Sequence, residues 1–63
     1  MYELKVNNSR VVPCREALLE DAQYVGRTFS KYRHCRVDLY HIKNKSEIIV
    51  TYIKGKQQMG VSA

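Results

Sequence analysis

The chain has 63 residues and a mass of 7.4 kDa, 44% of it hydrophobic and 27% charged, which describes one globular domain and excludes a disordered chain. Eleven Lys and Arg against six Asp and Glu leave a net charge of +5. That balance favours acidic partners, yet no five like charges stand in succession, so there is no basic arm or polybasic tail.

At this length, burial contributes about 100 kcal/mol and ordering the chain costs about 95 kcal/mol. A margin that thin makes a staple, a partner or self-association worth looking for. Apolar runs stop at three residues, as at Ile48-Ile49-Val50, far short of the ~18 residues of a membrane span. The opening Met1-Tyr2-Glu3-Leu4-Lys5 lacks the basic start and apolar stretch of a secretory signal, so the expectation is a cytoplasmic protein without membrane contact.

Tyr2-Glu3-Leu4-Lys5-Val6 alternates apolar and polar residues, the period of a half-buried strand. Asn7-Asn8-Ser9 follows as a turn, because Asn tolerates positive φ. Arg10-Val11-Val12 then returns as a second strand, and Pro13, which cannot donate to a ladder, is expected to end it.

From about Cys14 to Arg33 the period becomes helical. Leu18, Ala22, Val25 and Phe29 recur three and four residues apart, with Leu19 and Gly26 in the same stripe. Glu16, Glu20 and Asp21 crowd the start and Arg27, Lys31 and Arg33 the end, the order that complements the helix dipole. No Ser, Thr, Asp or Asn stands just ahead of this stretch, so its start is weakly capped. Gly26 costs a helix about 1 kcal/mol relative to Ala, and its place on the buried stripe indicates close approach to a sheet.

Residues 34–42 and 47–54 are rich in β-branched and aromatic side chains and flank the turn Lys43-Asn44-Lys45-Ser46, which predicts a second hairpin. The short loop sets a register in which Leu39 faces Val50, Val37 faces Tyr52 and His41 faces Ile48, on the face shared with Cys35. The predicted fold is α+β, ββαββ: a four-stranded antiparallel sheet with one helix packed on one face. The domain is expected over residues 1–55, with 56–63 as a flexible tail.

Phosphate-binding glycine loops are excluded, since the three glycines lie at 26, 55 and 60. Cys14 and Cys35 match no zinc spacing. The helix would hold them too far apart for a disulfide, which needs Cα atoms within about 7 Å. Cys14 with His41 is the one Cys–His pairing the topology permits, and it lacks both an orienting group and an oxyanion site. The expectation is therefore a non-catalytic binding protein without cofactor or metal.

Two surfaces are candidates. The outer face of the second hairpin would carry Tyr40, Ile42, Ile49 and Ile53, more apolar than a solvated sheet face requires, and so suited to a protein partner or a second copy. Tyr24, on the polar side of the helix, is a further anchor for an acidic protein partner, in the manner of an inhibitor or adaptor. The alternative is nucleic acid, held by Arg27, Lys31, Tyr32, Arg33 and Arg36, where cations interleave with an aromatic ring.

Overall fold

The computed structural model describes residues 1–58. The elements are β1 (Tyr2–Val6), β2 (Arg10–Cys14), α1 (Leu19–Arg33), β3 (Arg36–His41), β4 (Ile48–Ile53) and β5 (Lys56–Gln58). All strand pairs are antiparallel, in the spatial order β2-β1-β3-β4-β5. Among the described residues one helix thus packs on one antiparallel sheet, the α+β arrangement expected, with five strands in place of four.

The fifth strand comes from residues expected in the tail. Lys54 and Gly55 both take positive φ, 51° and 83°, the two-residue turn whose twist suits a hairpin. It returns Lys56–Gln58 along β4, with Gln57 opposite Tyr52. Of the expected tail, only 59–63 lie outside the described residues.

The helix begins later than its period suggests. Cys14 is the last residue of β2, opposite Tyr2, and Pro13 sits within that strand opposite Glu3. A proline is tolerated there because β2 is an edge strand. Leu18 is the N-cap residue in extended conformation, and no side chain caps the first turn. His34 closes the helix in the left-handed region, and Cys35 N–H donates to Ser30 O at 3.2 Å.

The core consists of Leu4 and Val6 of β1, Val37 and Leu39 of β3, Val50 and Tyr52 of β4, the two cysteines, and Ala22 from the helix. The helix stripe is rotated from the expected one. Ala22, Gly26 and Ser30 are its fully buried residues, while Leu18 and Leu19 are exposed. Small residues win the contact line because they let the helix axis come close. A Cβ built on Gly26 would stand 3.4 Å from Leu4 Cδ2 and Tyr52 Cε2, which is ordinary contact distance.

Ser30 ties the helix end to the residue before β3 and to the β4–β5 turn. Its hydroxyl donates to Cys35 O at 2.7 Å and accepts from Gly55 N–H at 3.0 Å. Gly55 is required there on two counts: its φ of +83°, and a built Cβ only 2.8 Å from Lys31 Cβ.

The β3–β4 register matches the expected one from Val37↔Tyr52 to Leu39↔Val50. A bulge between Leu39 and Tyr40 then shifts it, so Tyr40 pairs with Ile48 and the expected His41–Ile48 pairing does not form. Ile49 becomes the extra residue of the bulge.

Candidate functional site

On the outer sheet face, the patch expected from Tyr40, Ile42, Ile49 and Ile53 is not assembled. Tyr40 is only 3% exposed, and its hydroxyl donates to Glu3 Oε1 at 2.8 Å. Burial, and then the bond to Glu3, push its pKa up to about 12. Ile53 lies opposite Arg36 at one end of the ladder, and Tyr40 with Ile48 lies at the other. Between them sits the buried Asp38–Thr51 pair, in which Thr51 Oγ1 donates to Asp38 Oδ1 at 2.5 Å. Arg36 Nε reaches the same oxygen at 3.3 Å. Ile42, Ile49 and Ile53 are each a little over one-third exposed, but a polar network separates Ile53 from the other end. The bulge carries Ile49 out of register and leaves Ile48 to share a small recess with Tyr40, Lys5 and Lys45.

Arg36 accordingly leaves the basic cluster. It stands in β3 with its guanidinium on Asp38, while Arg27, Lys31, Tyr32 and Arg33 all belong to α1. A sequence interval of three residues hides this division, because the chain reverses at His34 and enters the sheet.

The helix face gains what the sheet face loses. Tyr24 is 63% exposed and Tyr32 75% exposed. Eight residues of helix place them about 12 Å apart along the axis with Thr28 between. Neither of the two ion pairs found among the described residues involves Arg27, Lys31 or Arg33. Tyr24, placed by sequence with the apolar interface, therefore stands with the cations of the alternative reading.

Three open clefts flank this row. One of about 360 Å³ is mainly apolar, between Val25, Phe29 and the rings of Tyr24 and Tyr32, with Arg33 at its edge. The Arg33 guanidinium lies 5.7 Å from the Phe29 ring centre, so an aromatic face orients the cation. A second cleft, about 340 Å³ and mainly polar, is bounded by Arg27, Lys31 and Gly55. The third, about 290 Å³, runs on toward Glu20 and Gln57, with Arg27 and the Tyr52 ring in its wall. Burial raises the Tyr52 pKa, and the nearby Arg27 charge opposes that rise.

Val25 and Phe29 are site residues that sequence reasoning misses, because apolar residues on a helix stripe read as core. They are only half-buried, since the helix contacts the sheet along Ala22, Gly26 and Ser30. The usable signal is Tyr24 and Tyr32 bordering the same stripe.

Neither cysteine extends the chemistry. Both are free and buried. Tyr2 pairs with Cys14 on one side and with His41 on the other, so β1 lies between them. Two strand spacings, about 9.5 Å, separate the pair expected to be the one Cys–His candidate. The His41 ring packs edge-on against Tyr2 instead, and its Nδ1 accepts from Lys43 N–H at 3.1 Å. Among the described residues, no helix is long and apolar enough to cross a membrane. Compared with known protein families, with curated proteins and with solved structures, the chain matches none.

Proposed function

We propose that this chain is a non-catalytic binding module that docks an acidic protein partner on the exposed face of α1. The observation that carries this reading is an apolar cleft at Val25 and Phe29 with Arg33 at its edge, beside a polar cleft lined by Arg27 and Lys31 across the Tyr24–Tyr32 row; no ion pair among the described residues engages these three cations. An apolar side chain flanked by carboxylates would fill both parts at once. Tyr and Arg are also the residue types that dominate binding energy at protein interfaces, where truncating one commonly costs about 2 kcal/mol or more. The partner's charge sets the encounter rate and the apolar cleft sets the lifetime of the complex.

The test is photo-crosslinking from position 32 in host extract, with and without nuclease. A stoichiometric protein adduct that survives nuclease, and that is lost in Phe29→Ala/Arg33→Glu but kept in Ile49→Lys, supports the reading. Loss in Ile49→Lys alone returns the interface to the sheet.

A second reading rests on the two exposed rings beside cations that no ion pair among the described residues engages, which also suit a single nucleic-acid strand. That reading requires affinity to fall steeply with salt, and a complex unchanged between about 50 and about 200 mM salt excludes it.

A further inference from the structure

Glu20, Tyr24, Arg27 and Lys31 are all exposed and recur four, three and four residues apart, so they form one continuous stripe along α1. Their order is acidic, aromatic, cationic, cationic. We infer that this stripe is a self-complementary surface, on which a second copy of the chain packs its own α1 antiparallel about a two-fold axis between Tyr24 and Arg27.

The antiparallel register sets Glu20 against Lys31 of the second copy and Tyr24 against Arg27 of the second copy. Symmetry repeats each contact, giving two ion pairs and two cation–π contacts. These four positions fall in the alternating layers of an antiparallel helix pair. A parallel arrangement sets Glu20 on Glu20, Arg27 on Arg27 and Lys31 on Lys31, which repels at three of the four layers. Opposed helix dipoles favour the same choice. An unrelated partner would need acidic and basic groups in the reverse order at the same spacing, and the chain itself, turned end for end, supplies that order.

Clefts also open beside the stripe. Gln57 and Gly55 wall the clefts on its β5 side, giving the second copy's Tyr24 and Arg27 places to enter. A single helix pair buries less than the ~1,200–2,000 Å² of a stable interface, so the dimer is weak and sensitive to salt. The dimer engages Arg27 and Lys31 and so competes with an acidic partner for them, whereas the cleft at Val25, Phe29 and Arg33 lies on the other side of Tyr24. A dimer therefore offers two such clefts, and the inference does not depend on what fills them.

The experiment uses the free protein with no partner. Sedimentation velocity from about 10 μM to about 1 mM should show monomer–dimer exchange that weakens as salt is raised. Glu20→Lys alone and Lys31→Glu alone each place like charges against one another and should weaken self-association about tenfold or more. Mixing the two variants should restore it, because in the mixed pair each position 20 again faces a position 31 of opposite charge. Native circular dichroism of each variant confirms the fold. A wild-type chain that is monomeric at about 1 mM overturns the inference, as does a mixture no more associated than its components.

Discussion

The Tyr40 hydroxyl donates to Glu3 Oε1 at 2.8 Å across the outer sheet face, joining the neighbouring inner strands β3 and β1. Lys45 Nζ lies 3.8 Å from the same carboxylate oxygen, so one glutamate holds a buried phenol and a loop cation. The bond exists only while the phenol is protonated. With its folded pKa near 12 against an ordinary 10, Tyr40 contributes stability that is complete below pH 10 and is lost between pH 10 and 12. Ultraviolet titration should show a last tyrosine ionising near pH 12 in the wild type and not in Tyr40→Phe. The alkaline fall in urea stability should be correspondingly smaller in that variant.

Ser30 is fully buried and satisfies groups from two other segments. Ser30→Ala takes from Gly55 N–H its Ser30 acceptor and leaves Cys35 O with the bond from Lys54 N–H, at a cost of about 1–3 kcal/mol. Gly55→Ala meets both positive φ and the Lys31 side chain, and is expected to cost a similar amount. Urea midpoints measure both. A double variant losing clearly less than the two single losses combined would show that the two residues act as one joint.

Gly26 behaves in the opposite way. A methyl group fits there at 3.4 Å from its neighbours, and Ala restores about 1 kcal/mol of helix propensity, so Gly26→Ala is expected to be neutral or stabilising. Gly26→Leu overfills the same space and should cost about 2 kcal/mol or more. Thermal melts should therefore place Gly26→Ala at or above the wild type and Gly26→Leu below it.

Cys14 ends β2 and Cys35 precedes β3, whose far end, His41, is the end paired with Tyr2 opposite Cys14. The separation is about 20 Å, set by the length of β3. Thiol titration should find both groups protected in the folded protein and reactive in denaturant. Mild oxidation should leave the monomer without an internal bridge.

Local periodicity makes much of this fold legible. Alternation marks β1, the Asn7-Asn8-Ser9 cluster marks its turn, and a run of β-branched residues around a polar loop marks β3 and β4 in register as far as Leu39. What escapes depends on contacts between distant segments. Lys56–Gln58 carries no apolar pattern and becomes a strand because the Lys54-Gly55 turn aims it along β4. Cys14 continues β2 through Pro13 because that strand lies at the edge, a position decided by where β3 inserts.

The candidate site is half visible for the same reason. Tyr24, Arg27, Lys31, Tyr32 and Arg33 can be found from composition on one helix. Their separation from Arg36 follows from the reversal at His34, and the burial of Tyr40 follows from Glu3, which lies 37 residues away in sequence. A one-residue bulge, invisible to an alternation pattern, is enough to exchange the roles of Ile48 and Ile49.

The position of β1 between β2 and β3 governs the order in which the molecule assembles. The β1–β2, β3–β4 and β4–β5 ladders each close over a short loop, whereas the β1–β3 ladder spans the whole helix. Closing that longer loop carries the larger entropic cost, so the seam is expected to form late in folding. Asn7 reinforces it at one end, donating its N–H to Arg36 O at 2.9 Å and accepting from Arg36 N–H through Oδ1 at 3.2 Å. Because β1 and β3 are inner strands that carry much of the core, their seam amides should report global unfolding in hydrogen exchange once the molecule is folded, while the β4–β5 turn at the sheet edge opens on its own. Uniform protection across both would contradict that difference in local stability.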